Sequence, residues 1–205
     1  NQIAIKVHTQ PGDEVICDEL SHIYNYEGGG IAVNSGCSVK LLKGNRGIFT
    51  SGDVENAINP GDVHFPVSKL VSIENTCNKG GGSVWERVEM DKISKVCKEN
   101  NLKLHLDGAR IFNALIACKI FSGDDSPLPG GDGPDSISIC LSKGLGAPAG
   151  SVLIADKKFI EHGRRVRKVF GGAMRQSGYL AAAGLYALEH HIERLSEDHI
   201  RAREL

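Results

Sequence analysis

Ser136-Ile-Ser-Ile-Cys-Leu-Ser-Lys143-Gly-Leu-Gly-Ala-Pro-Ala-Gly150 is the stretch that decides how this chain is read. Its first half is an apolar run with β-branched residues, and its second half is a turn built from glycine, alanine and proline. That boundary predicts a buried strand followed at once by a tight connection. Lys143 then stands at the carboxyl end of a strand, where open α/β sheets bind their ligands. An amine withdrawn from water favours its neutral form and becomes a nucleophile able to form a Schiff base. A surface lysine just past a strand would have the same sequence signature, so the functional reading requires a partner group.

The partner lies in Lys103-Leu-His-Leu-Asp-Gly-Ala-Arg110. Alternation over 103–106 and the following Asp-Gly predict a second strand that stops at Asp107. Where strands alternate with helices, both strand ends fall on one sheet edge, so a carboxylate and an amine face one ligand. Pyridoxal phosphate requires such a pair: a lysine for covalent attachment, and a carboxylate that keeps the pyridine nitrogen protonated so the ring can accept electrons. Arg110 is one helical turn past Asp107 if a helix begins there. It could meet the phenolate oxygen or, bidentately, a substrate carboxylate.

Working outward, the pattern predicts strands over 14–18, 39–42, 70–74, 102–106 and 151–155, besides the one before Lys143. It predicts helices over 53–59, 89–100 and 109–117. That alternation argues an α/β fold of three layers, α/β/α, with a mostly parallel sheet covered on both faces. The segment 122–134, rich in Gly, Pro, Asp and Ser, reads as a surface loop within one domain. Residues 184–205 read as one long helix carrying Leu185, Leu188, Ile192 and Leu195 on a stripe. The first seven residues resemble the inside of a helix, and neither end carries a cap or stop signal, so the chain reads as truncated at both ends.

A chain of 205 residues with a net charge of −1 can bury a substantial core and offers no electrostatic case for nucleic acid or membrane. No stretch is long and apolar enough for a membrane span, and the amino end lacks the plan of a signal peptide. Six cysteines without a CxxC pair read as reduced, mostly buried thiols of a cytoplasmic enzyme, with no metal site.

Further stretches carry a resemblance: Thr9-Gln-Pro-Gly-Asp-Glu-Val-Ile-Cys-Asp18, Ser21-His-Ile-Tyr-Asn-Tyr-Glu-Gly-Gly-Gly30, Ile73-Glu-Asn-Thr76, His105-Leu-Asp-Gly-Ala-Arg-Ile-Phe-Asn113, Leu141-Ser-Lys-Gly-Leu-Gly-Ala-Pro148 and Met174-Arg-Gln176. Together they resemble the low-specificity L-threonine aldolases, within the fold-type-I pyridoxal-phosphate enzymes, nearly end to end and in order. The resemblance implies that residues 1–205 form the cofactor-binding large domain, without the upstream phosphate-binding turn or the carboxyl-terminal small domain. It implies cleavage of L-threonine or L-allo-threonine, a β-hydroxy-α-amino acid substrate, to glycine and acetaldehyde in a homodimer or homotetramer.

Residue by residue, the resemblance gives His22 a place stacked on the cofactor ring and near the substrate hydroxyl. Glu27 would orient His22 or a water. Arg175 would lie near the cofactor phosphate or a subunit contact, although with Arg164, Arg165, Arg167 and Lys168 it could equally form a solvated basic face. Ser142 could donate to the phosphate, but strand alternation, if it continues that far, turns its side chain away from Lys143. Two positions depart from the family pattern. Cys77 stands where many relatives have histidine, which puts the choice of base and the stereochemical preference in doubt, and Ala173 stands in a run that is more often three glycines. Ala173 fits only if its φ is negative. The Lys143–Asp107 pair alone does not choose the reaction, so β-elimination or transamination and an inactive truncated remnant remain as alternatives.

Overall fold

The aliphatic and β-branched runs form one six-stranded sheet: β1 (Asp13–Asp18), β2 (Ser38–Leu42), β3 (Val67–Glu74), β4 (Lys103–Gly108), β5 (Ser136–Cys140) and β6 (Ser151–Ala155). The structure, a computed structural model, describes residues 1–121 and 133–204, with the Phe121 side chain left out. The strand order is β2-β1-β3-β4-β5-β6. Pairings among β1 to β5 are parallel, and β6 joins β5 antiparallel. Parallel pairing requires crossovers, and these place helices on both faces, the three-layer arrangement expected from the sequence.

Alternation within the strands sorts their side chains between two cores. One face sends Ile16, Val71, Ile73, Leu104 and Leu106 against α3 (Ser51–Ala57), α4 (Arg87–Glu99) and the start of α5 (Ile111–Phe121). The other sends Val15, Cys17 and Leu70 against Ile5 of α1 (Gln2–His8), Ile23 of α2 (His22–Asn25) and Ile31 of a π-helical turn at Ile31–Ser35. On that second face the apolar pattern changes toward β4 and β5, where His105, Asp107, Ser136 and Ser138 are buried instead. Burying that many polar groups is costly unless each finds a partner.

The helices begin where local chemistry allows. Thr50 and Asp53 form a capping box that starts α3 two residues before the expected position, because Thr50 Oγ1 accepts from the Asp53 amide and Asp53 accepts from the Thr50 amide. Asp156 accepts from the Phe159 amide at 2.9 Å and starts α6 (Lys157–Val169). The single helix expected over 184–205 is instead two, α7 (Gly178–His190) and α8 (Leu195–Glu204). Leu188, Ile192 and Leu195 still reach the cluster under the Lys143 loop and Leu185 is left exposed, while the chain turns at 191–194, where His191 Nδ1 meets the Leu145 carbonyl. The segment 122–132, which the sequence reads as a surface loop, lies outside the described residues.

No described helix is long and apolar enough to cross a membrane. All six cysteines are free, four of them buried.

Candidate active site

Because β1, β3, β4 and β5 run parallel, their carboxyl ends share one edge. Register aligns Glu74 with Asp107, and Asp107 with Ser138. The Glu74 end of β3 is fixed from the far side by Trp85, whose indole N–H donates to the Glu74 carbonyl at 3.0 Å and whose ring meets Phe49 edge-on, centroids 4.9 Å apart. Glu74 itself is buried and accepts from the amides of His22 (2.9 Å) and Asn78 (3.0 Å). Burial nonetheless leaves its carboxyl above the ordinary range. This carboxylate, absent from the sequence-derived site, joins the His22 loop to the sheet edge.

His22 opens the short α2, its imidazole Nδ1 3.0 Å from Glu27 Oε1 and its ring 5.6 Å from that of Tyr26. Its side chain is 39% exposed, so the imidazole spans solvent and site. Glu27 is turned back toward His22 by Gly28 and Gly29, both with positive φ (63° and 69°), a backbone that other residues adopt at a cost. Gly30 is where Gln2 comes close, and the Gln2 amide donates to Glu27 Oε2. Burial by itself would raise the Glu27 carboxyl, but donors from Asn1, Gln2 and His22 outweigh it and hold it below the usual range.

Asp107, 2% exposed, ends β4 with Oδ1 accepting from the Ala109 amide at 3.2 Å and Oδ2 accepting from Asn1 Nδ2 at 2.8 Å. Burial pushes its carboxyl up. His22, Glu27 and Asp107 bring one donor atom each within 4.8 Å of one another. Such a trio could hold a small cation, but the Asn1 amide already sits between the two carboxylates, donating to Glu27 Oε1 at 2.7 Å as well. Among the described residues no lysine or arginine pairs with Asp107. A buried carboxylate with no lysine or arginine side chain on it, at the ligand-binding edge of the sheet, fits a protonated ring nitrogen.

Lys143 lies three residues past β5, half-buried, in a turn clamped from below. Gly146 N–H donates to the Lys143 carbonyl at 2.8 Å, Ala147 N–H to Leu141 at 3.0 Å, and His191 Nδ1 meets the Leu145 carbonyl at 2.6 Å. Leu141, Leu145 and Ala147 pack with Ile116, Ala187 and Leu195. A Cβ at Gly144 would lie 2.7 Å from Leu195 Cδ2, so a side chain there would press on the end of that buried leucine.

Other expectations change. Arg110 precedes α5 and does not sit one turn inside a helix, because Asp107 accepts the Ala109 amide and turns the chain before the helix begins at Ile111. It is half-buried beside the site edge. Strand alternation does not govern Ser142, since β5 ends at Cys140, and Ser142 is exposed. Arg175 is exposed between α6 and α7, outside the hydrogen-bonded cluster, and Arg164, Arg165, Arg167 and Lys168 form an exposed helix face. Ala173 is not among the residues with positive φ, whereas Gly171 (80°) and Gln176 (52°) are, so the departure from three glycines is accommodated. Cys77 is buried, and a Cβ on Gly47 would lie 2.2 Å from its sulfur; burial raises its thiol pKa. Lys79, two residues on, has its ammonium 5.1 Å from the Tyr26 ring centroid.

The sequence reading also left out Asn1, His105 and Ser138. A polar residue with period-two spacing from Asp107 on a buried strand was the available signal for His105.

The profile of the beta-eliminating lyase family matches residues 1–205. A probable low-specificity L-threonine aldolase 2 of Arabidopsis thaliana is 43% identical over 210 residues, covering 100% of this chain and 58% of that protein. A low specificity L-threonine aldolase of Escherichia coli K12 is 41% identical over 203 residues, covering 98% and 59%. The structure of a threonine aldolase from Leishmania major superposes with a TM-score of 0.79 at 25% identity, covering 99% of this chain and 58% of that one. The chain thus spans less than two thirds of the length of these relatives.

Proposed function

We propose, from the premise that this chain belongs to the beta-eliminating lyase family, that it is the large domain of a pyridoxal-phosphate-dependent carbon–carbon lyase cleaving L-threonine or L-allo-threonine to glycine and acetaldehyde. The observation that carries this reading is the buried Asp107 beside His22 and Glu27 on the edge that also bears Lys143. The similarity to low-specificity L-threonine aldolases supports the substrate class.

When bound, pyridoxal phosphate supplies an electron-withdrawing ring that takes up the electron pair of the broken bond. In the proposed roles, Lys143 Nζ would be the amine that holds the cofactor covalently. Asp107 accepts the ring nitrogen's proton in a hydrogen bond and keeps it charged. His22 Nδ1–H donates to Glu27, which leaves Nε2 as the basic nitrogen, and Nε2 takes the proton of the β-hydroxyl as the Cα–Cβ bond breaks. Arg110 would hold the phenolate oxygen or the substrate carboxylate, and Arg175 and Ser142 would be candidates to hold the phosphate. A proton delivered to Cα completes glycine.

β-Elimination, named in the family description, would use Lys143 and Asp107 equally but needs no base on a β-hydroxyl. The His22–Glu27 pair favours aldol cleavage. A homodimer or homotetramer is part of the proposal, supported by exposed Val169, Met174, Tyr179 and Leu185. A cytoplasmic location is supported by the six free thiols.

The test is visible absorption of the purified protein with pyridoxal phosphate, alongside Lys143→Ala, followed by L-threonine and an acetaldehyde assay. A lysine-dependent band near ~420 nm and acetaldehyde are expected. A band without acetaldehyde would transfer the reading to β-elimination or transamination, and no band would mark the chain as an inactive remnant.

A further inference from the structure

A line of hydrogen bonds behind Asp107 has no part in the chemistry above. His8 Nε2 lies 2.8 Å from Ser136 Oγ, which lies 2.8 Å from His105 Nδ1. His105 Nε2 lies 3.1 Å from Asn1 Oδ1, which also accepts from Ser138 Oγ at 2.5 Å. Asn1 Nδ2 then reaches Glu27 and Asp107.

The proton positions along this line follow from what each group can do. Two ionised carboxylates accept only, so the side of Asn1 facing them is its NH₂, and the side facing His105 and Ser138 is its carbonyl. The carbonyl needs donors, so His105 carries its proton on Nε2. Its Nδ1 is then an acceptor and takes the Ser136 hydroxyl proton, and the Ser136 oxygen takes a proton from His8 Nε2. The Ser136 carbonyl, 3.2 Å from His105 Nδ1, would instead accept from the Nδ1–H tautomer or from the imidazolium, the two alternatives to the Nε2–H form. Every donor points toward Asp107 and Glu27. His105 is wholly buried, and burial holds its pKa well below the ordinary value, which keeps it neutral.

We propose that His105 is a positioning residue: as the Nε2–H tautomer fixed by Ser136, it aims the Asn1 amide so that its two N–H groups fall on Asp107 and Glu27. Acting through Asn1, it holds Asp107 ionised with a lone pair free for the cofactor's ring nitrogen, and holds Glu27 for His22. Without the Nε2 proton, Asn1 loses its reason to face one way, and an amide turned over would present its oxygen to two carboxylates. The role rests on the reading of Asp107 given above, but the tautomer does not.

Two measurements test it. Nitrogen NMR of the ¹⁵N-histidine-labelled protein, free of cofactor, should show His105 protonated on Nε2 alone at neutral pH, with that preference lost in Ser136→Ala. An Nδ1–H tautomer or an imidazolium overturns the proposal. With pyridoxal phosphate ¹⁵N-labelled in the ring, the wild type and His105→Gln, whose amide can donate in the same place, should show the pyridinium signal. His105→Leu and Asn1→Ala should each lose it, and Asn1→Ala/His105→Leu should lose no more than either. A pyridinium signal retained in His105→Leu, or additive losses in the pair, overturns the proposal. Absence of the pyridinium signal in the wild type would count against the role of Asp107 itself, while the cofactor-free tautomer still decides the His105–Asn1 link.

Discussion

At the scale of single residues, Lys143 and Asp107 separate into different defects. Lys143→Ala should abolish the covalent band and leave at most weak, reversible cofactor binding, read by absorbance after gel filtration. Asp107→Asn keeps the size of the buried group and removes its charge, so cofactor should still attach while threonine cleavage falls about 10²–10³-fold, read as kcat. His8 gives a stability prediction. Burial holds its imidazole down from 6.5 to about 4, so the folded protein stays neutral there while the unfolded chain takes up a proton. The resulting stability is complete above the unfolded value and is lost as pH falls toward about 4, by up to ~3 kcal/mol. Urea unfolding at pH 7, 5.5 and 4.5 should show that decline, and His8→Gln should reduce it, leaving the part that buried His105 contributes. Lys143, Asp107, His22 and Glu27 were legible in the sequence because each sits next to a signal: a strand end, a glycine turn, or a familiar stretch. Asn1 and Ser138 were not singled out, and the segment 74–76 was placed on the site edge only from its strand end, because the hydrogen bonds that give these residues their places span 26 to 137 positions and no local pattern records them.

At the scale of elements, strands were read to within a few residues because β-branched and apolar residues, in runs or in alternation, stop at glycine, proline and aspartate turns. Helix limits were less legible. The α3 start depended on recognising Thr50 and Asp53 as a reciprocal cap, and Thr50→Ala should cost about 1 kcal/mol in urea unfolding without moving the cofactor spectrum. The break between α7 and α8 was hidden because the stripe of Leu188, Ile192 and Leu195 stays continuous at helical spacing across it, while the contact at the turn, His191 on the Leu145 carbonyl, is long-range. Leu195 is 1% exposed there. Leu195→Ala should cost about 2–5 kcal/mol and loosen that turn, lowering cofactor affinity although Leu195 touches no reacting group. Thermal unfolding and a pyridoxal-phosphate titration check both halves, and a stability loss with unchanged affinity would mean the turn is held by its backbone hydrogen bonds alone.

At the scale of the whole molecule, a ligand that binds the folded state alone stabilises it by mass action. At a hundred times its dissociation constant, pyridoxal phosphate should add about 2.7 kcal/mol, and the melting midpoint should keep rising with concentration. Lys143→Ala should show a smaller rise. The α/β class and the two-sided sheet were visible in the alternation of strands and helices, whereas strand order was not, because period and length say nothing of which strands become neighbours. That order has a kinetic side. Asn1, His22, Glu74, Asp107 and Ser138 belong to separate stretches, and each parallel pairing joins strands that lie far apart along the chain. Loop-closure entropy must be met before those contacts contribute, which makes such topologies slow to form. A chain emerging from the ribosome therefore carries an incomplete site: Asn1, His22, Glu27, Glu74 and Asp107 all precede β5, but until β5 docks beside β4, Asp107 has no Ser138 beside it and Lys143 has no edge to stand on. Covalent capture of the cofactor should therefore wait for β5, and it would report that this strand has docked.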